Sequence, residues 1–498
     1  MKNQLLLILI VVIISGCAAS KNHYKRFNPT VKYSPEQLQK DYSIFRKMLE
    51  ESHPSLYWFT PKDSIDYYFN WGAAQLRDSL PEYKFRMILS YVLAKIKCGH
   101  TSVRASDAAI KYSERTRGYS FPLNIKAWKD TVVVTSNINR KDSNVTRGVV
   151  LQSIDGRPIQ EIMDTLFRYL SADGYNISHK YQTLSNPGVF RSLYASIYGL
   201  RPKVHVTYLD GAGYLKEADV TIYDPVADTP TQKITFPRLS KKQRKKIMLN
   251  SARNMRIDSS LGTAFMEVNT FTKFNKLRKF FKRSFRQLRK ENIPNLVIDI
   301  RGNGGGSVLL SNLLTRYIAE KPFKIADSLY AMKKWSSYSK YEQNYLPNRF
   351  FLLFMTHKKN DGKYHFTYFE HKYFKPKVQN HYNGHVYILT GGNTFSAAAL
   401  FTKALKDQSN VTTVGEETGG GAYGNTAWLI PDITLPNTGV RFRLPLFRLV
   451  IDKDELKGRG IIPKVEVDPT TDAIRRNEDY KMNKVIELIR KGSLYSIK

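Results

Sequence analysis

Two runs of buried-strand composition, each followed by a segment of helical composition, constrain this chain more than any other feature. "NLVIDI" (Asn295 to Ile300) precedes "SVLLSNLLTRYIAE", and "HVYILT" (His385 to Thr390) precedes "FSAAALFTKALKD"; "VTTVGEE" is a further strand. Strands separated by helices imply right-handed βαβ crossovers in a mostly parallel sheet. An α/β core is therefore expected over 255–470, with a C-terminal helix over 471–498. Ahead of it the chain changes character. Residues 34–112 read as a helical N-terminal domain: Ser34 is followed three residues on by Gln37, a capping-box pattern, and Pro54 closes the first segment. Residues 113–229 are β-rich, with "DTVVVTSNI" and "KVHVTYLD" of strand composition. Residues 230–254 are basic and read as a connector.

The chemistry concentrates where strands give way to helices. In "TGGNTFSAAAL", Gly391 and Gly392 turn the chain and Ser396 stands at the start of the helix. The first N–H groups of a helix have no intrahelical partners, and they favour a nearby anion. An acyl-transfer oxyanion needs such donors, and the amide of Ala397 is one. A serine here is also an ordinary cap. The second stretch is "NLVIDIRGNGGGS", where Gly302, Gly304, Gly305 and Gly306 follow a strand. Their spacing fits neither a dinucleotide fingerprint nor a P-loop, so Gly304 or Gly305 is read as a second oxyanion donor. A serine hydroxyl needs a base. Of ten histidines, His100 in "KCGHTSV" follows a helix end and is flanked by hydroxyl residues, while His53 in "ESHPSLYWF" reads as a packing residue. Cys98, two residues before His100, is an alternative nucleophile to which spacing alone assigns no geometry.

Four motifs, "CGHT", "VIDIRGNGGG", "GGNTFSAAAL" and "VGEETGGG", together resemble the C-terminal processing (tail-specific) serine peptidase family, in its tricorn-like, histidine-using branch. The segment around Asp155-Gly156 resembles part of a PDZ module. The resemblance implies a crotonase- or Clp-peptidase-like α/β core, a helical N-terminal domain and a PDZ-like middle domain. It implies a serine endopeptidase acting through Ser396 with His100 as general base, on peptide or protein substrates, with no metal and no cofactor. Relatives that use a Ser-Lys dyad carry a lysine where this chain has Gly421. Lys403 and Lys406 lie two to three helical turns beyond Ser396, axially too far for direct contact. The resemblance also implies an acid near the end of the core. Here Lys457 stands at that position and Lys464 follows Pro463, so Asp452, Asp454 or Glu455 would have to serve; Asp454 is taken as the residue that orients His100. A catalytically weakened peptide-binding protein on the same fold is the alternative.

The N-terminus specifies location. Lys2, the apolar stretch Leu5 to Ile14 and "SGC" have the layout of an export signal (1–17), and "IISGC" resembles a lipobox that leaves Cys17 lipidated. Residues 18–33 then form a polar tether to a bacterial membrane. Ala18 in place of Asp points to the outer one, facing the periplasm. With Cys17 acylated, Cys98 has no disulfide partner, so stability rests on burial. The net charge is +35, from 78 basic and 43 acidic residues. In "KLRKFFKRSFRQLRK" (Lys276 to Lys290) the apolar residues share one helical face, so the charge is read as a solvated outer face. No nucleic-acid motif accompanies it, and nucleic acid is not an expected partner.

Overall fold

The structure, a computed structural model, describes residues 27–116, 118–227 and 239–495. The expected export signal, Cys17 and the first part of the tether lie outside the described residues. At the centre is a mixed α/β unit built on six strands: β1 (Arg253–Asp258), β2 (Thr263–Val268), β3 (Asn295–Asp299), β4 (His385–Thr390), β5 (Val411–Gly415) and β6 (Val465–Glu466), side by side in that order. β1 is antiparallel to β2, and every other neighbouring pair is parallel. Helices α1 (Leu277–Lys290), α2 (Val308–Thr315) and α3 (Ala397–Leu405) lie on the successive crossovers.

Alternation along the strands explains the layers. Ala264, Met266, Leu296, Ile298, Val386 and Ile388 pack with Phe281, Phe285, Leu314 and Phe401 of the helices. Phe265, Val297, Tyr387 and Leu389 pack on the other face against Val485 and Ile489 of the C-terminal helix Tyr480–Tyr495. Both faces are covered, so the strands are continuous apolar runs rather than alternating ones. α1 buries Leu277, Phe281, Phe285 and Leu288 and turns its cations outward.

Residues 123–221 form a separate antiparallel sheet, in the order Leu123–Trp128, Thr131–Asn137, Val150–Ile154, Lys203–Leu209 and Leu215–Thr221. Its apolar cluster joins Leu123, Val134, Leu151 and Val206 to Ile162 and Leu166 of the helix Ile159–Phe167. The stretch read as a connector is in part a helix, Lys241–Ala252, capped by a Ser240–Gln243 box. Its cations mask the capping signal in the sequence.

The N-terminal helices Pro35–Ser52, Lys62–Ala74 and Glu82–Ile96 do not close a core of their own. The Ser34–Gln37 capping box is formed. Leu38, Phe45, Phe69 and Phe85 share one cluster with Ile433, Phe442, Phe447 and Leu449. Phe442 and Phe447 lie on strands of the β5–β6 connection that join two small sheets, one completed by Val103–Arg104 and the other by strands of the β3–β4 connection. Val103–Arg104 pairs with Arg441–Phe442, so the boundary expected at 112 separates segments of sequence but not cores. A single layer of amphipathic helices needs a second layer to bury its apolar face, and the late strands supply it. Asp41, fully buried, locks the seam: its carboxylate accepts from the backbone and side-chain nitrogens of Asn437 and from the backbone N–H and hydroxyl of Thr438, at 2.7–3.0 Å. Among the described residues no helix is long and apolar enough to cross a membrane.

Truncating Asp41 would leave several buried donors unsatisfied at once. Asp41→Ala is expected to cost about 3 kcal/mol or more, read as a lowered urea midpoint at unchanged slope.

Candidate active site

The β4–α3 turn holds Ser396 in an uncommon backbone conformation, φ 54° and ψ −122°. For a residue with a Cβ this costs about 1–3 kcal/mol and persists only where the surroundings enforce it. They do so here through Thr394 and Asn303. The Thr394 hydroxyl donates to Ile300 O (2.9 Å) and accepts from Gly391 N–H (3.1 Å), and Gly420 N–H donates to Thr394 O (3.1 Å). Phe395 N–H donates to Asn303 O (3.0 Å). β3 and β4 are adjacent and parallel, so their C-terminal ends place the glycine loop directly beside this turn. Gly305, at φ 97°, comes so close that an added Cβ would lie 2.7 Å from Ser396 Cβ and 2.9 Å from Ala397 N.

The oxyanion reading is corrected in one respect. Gly305 N–H donates to Asn303 Oδ1 (2.8 Å) and is not free for a ligand. The amides of Gly304 and Gly306 have no acceptor among the described residues, and that of Ala397 opens α3, where no intrahelical acceptor exists.

His100 lies against the same turn. Its ring packs on Phe395, the residue before Ser396, with centroids 4.6 Å apart. His179, absent from the sequence reading, stacks on Phe395 as well (4.8 Å), and its Nδ1 donates to Gly392 O (2.7 Å). His100 is buried, and neither ring nitrogen has a hydrogen-bond partner among the described residues. Burial, with Arg443 and His179 nearby, pushes its pKa down to about 3, so the ring is neutral at pH 7. His53 is buried as a packing residue, its Nε2 2.9 Å from Thr101 Oγ1.

The expected acid is also corrected. Asp454 is exposed and no contact joins it to His100. Asp452 and Glu455 are taken by the cations beyond Ser396: Lys403 Nζ is 2.8 Å from Asp452 and 3.1 Å from Glu455, and Lys406 Nζ is 2.5 Å from Glu455. The buried acid beside the His100 loop is Asp173, which accepts from Gly99 N–H (2.8 Å) and Gly421 N–H (3.4 Å). Burial raises its pKa to about 7. It braces the loop and does not touch the imidazole nitrogens. Gly421 is thus a packing position between loops. Cys98 is buried, and burial pushes its thiol up to about 11, which removes it as a nucleophile in this state.

Ser396 opens onto a cavity of about 570 Å³ lined largely by apolar groups, among them Phe351, Phe366, Phe369, Trp428 and Leu400. Asn425, also in its wall, is buried with its side-chain oxygen unpartnered. Among the described residues no cluster of three His, Cys, Asp or Glu could hold a metal ion.

Gly305→Ala is expected to push the Ser396 turn out of place and lower turnover by about a hundredfold, with the far-ultraviolet dichroism unchanged. The histidines predict a pH response. Their folded pKa values lie below the unfolded one, about 3 for His53 and for His100, and lower than usual for the largely buried His179. Their contribution is full above pH about 6.5 and is lost as pH falls toward 3. Asp173, raised to about 7, acts oppositely over about 4–7. Three groups outweigh one, so the melting temperature should fall as pH drops from 7 to 4.5. His53→Gln should flatten that slope in scanning calorimetry.

Residues 262–467 match the family model described as Peptidase family S41. No curated protein sequence matches the chain. Among solved structures, mature CPAF complexed with lactacystin is 16% identical with a TM-score of 0.62, over 92% of this chain and 98% of that one. A serine-to-alanine mutant of CPAF is 14% identical with a TM-score of 0.64, over 92% and 97%. At these identities the likeness is one of fold.

Proposed function

From the peptidase family S41 domain that this chain carries over residues 262–467, which makes it a serine-type peptidase, we propose that it hydrolyses peptide bonds through an acyl-enzyme on Ser396. The observation that carries this reading is the strained conformation of Ser396 at a strand-to-helix turn, beside a glycine loop and above a cavity. Ser396 Oγ attacks the carbonyl carbon, and His100 takes its proton. The Ala397 amide, with that of Gly304 or Gly306, stabilises the oxyanion. His100 then gives the proton to the leaving amine, and water releases the acyl group. His100 is neutral and both of its nitrogens are unpartnered, so the proton has a place to go. The ring must approach the hydroxyl when substrate closes the site, as catalytic hydrogen bonds commonly tighten on binding. The aromatic cavity next to Ser396 suits a bulky apolar side chain of the substrate.

The N-terminal layout supports an exported protein anchored through a lipid on Cys17, with the bacterial outer membrane as its site and periplasmic peptides or proteins as substrates. One observation favours the second reading, a peptide-binding lipoprotein of weakened activity: among the described residues no carboxylate hydrogen-bonds to His100.

A fluorophosphonate probe and a peptide library with products mapped by mass spectrometry separate the two. A peptidase gives labelling at Ser396 that His100→Gln abolishes. It also gives cleavage next to large apolar residues that Ser396→Ala lowers by about a thousandfold or more. Full cleavage by Ser396→Ala would refute the mechanism, and tight peptide binding without labelling or cleavage would support the binder.

A further inference from the structure

A second cavity, of about 400 Å³, opens between the N-terminal helices, the helix Ile159–Phe167 and residues 172–180. Four cations converge on it: Lys95, Lys97, Arg168 and Lys180. Three are placed by specific contacts. Lys95 Nζ lies 4.0 Å from the Tyr91 ring centroid and 5.1 Å from that of Tyr68. Lys97 Nζ lies 4.1 Å from that of Tyr175, and Lys180 Nζ donates to Phe167 O at 2.9 Å.

A chain with 35 more basic than acidic residues must leave many cations unpaired, so lack of a partner alone says little. Here the lysines are partly buried, held by aromatic rings and directed at one space, where surplus charge would be expected to spread apart in water. None of the four forms an ion pair with a carboxylate among the described residues. Asp164, the one acid in the cavity wall, is exposed. Burial holds Lys95 and Lys180 below the usual lysine range, and neighbouring cations add to the effect; Lys180 is brought to about 8. Among the described residues no acid opposes either shift, so what the site lacks is negative charge.

We propose that this cavity binds a small multivalent oxyanion of the phosphate class, held by Lys95, Lys97, Lys180 and Arg168. The chemistry is that of compact ammonium charges and a guanidinium gathering around phosphoryl oxygens. The site is distinct from the cavity at Ser396 yet linked to it. Gly174 N–H donates to Lys97 O (2.9 Å), Asp173 accepts from Gly99 N–H, and Asn176 Nδ2 donates to Thr418 O (2.7 Å). One wall of the cavity therefore clamps the His100 loop to the loop 417–421. An anion that joins Lys97 to Lys180 stiffens this clamp, whichever residue performs the attack.

Calorimetric titration of the full chain with pyrophosphate at fixed ionic strength tests the proposal, with inorganic phosphate and phosphatidylglycerol vesicles as separate arms. One-to-one binding of pyrophosphate or phosphate, with a raised melting temperature, identifies a free phosphate. Binding confined to the vesicles, and lost in the same variants, identifies a lipid headgroup. In either case Lys95→Gln/Lys180→Gln should weaken binding by at least about tenfold, while the control Lys241→Gln/Lys245→Gln leaves it unchanged. Arg168 is exposed, so Arg168→Gln provides a weakened variant whose folding is not at risk. No binding in any arm would overturn the site. So would equal binding by both double variants, or displacement by chloride at matched ionic strength.

Discussion

The end of the sheet that carries the glycine loop and the serine turn depends on one buried amide. Asn303 donates from Nδ2 to Val268 O at the end of β2 (2.8 Å), accepts Gly305 N–H on Oδ1, and accepts Phe395 N–H on its backbone carbonyl. It is fully buried, so each bond forms where water cannot replace it. These bonds tie the ends of β2, β3 and β4 into one unit. The glycine loop and the serine turn consequently have a fixed separation, and the strain at Ser396 is borne by a rigid frame rather than by a mobile loop.

The histidine beside the serine turn is arranged on a different principle. His100 is held by packing against Phe395 and by the backbone of its loop, not by a carboxylate. Burial among Arg443 and His179 keeps it uncharged. A developing oxyanion on the neighbouring turn would supply the negative charge that makes an imidazolium tolerable there. Asp173 sits behind the loop, and its proton affinity near neutral pH lets it brace the amides of Gly99 and Gly421 without placing a full fixed charge beside Cys98.

Much of this was legible in the sequence where the signal is local. "NLVIDI" and "HVYILT" are the central strands, and the glycine loop and Ser396 lie at their ends. The acid was not legible. Choosing among Asp452, Asp454 and Glu455 depends on which of them Lys403 and Lys406 capture, and that follows from how the 450s segment crosses α3. Asp173 and His179 sit in a stretch without a motif, and their neighbours come from distant segments: Gly99 and Gly421 for Asp173, Gly392 and Phe395 for His179. Nor could local pattern show that the first helices share a core with strands near residue 440, since each helix is an ordinary amphipathic segment by itself.

That shared core sets an order in time. The bonds between Asp41 and Thr438 span 397 residues, and Phe45 meets Phe442 across a similar interval. A nascent polypeptide emerging N-terminus first therefore cannot bury its leading helices until nearly the whole length has emerged. Contacts of such long range form slowly, and the waiting apolar faces are prone to stick to other chains. Folding of this molecule is thus expected to lean on holding factors that shield those faces. The His100 ring reaches the turn that carries Ser396 only once residues well past the middle of the polypeptide are present, so shorter fragments lack that packing.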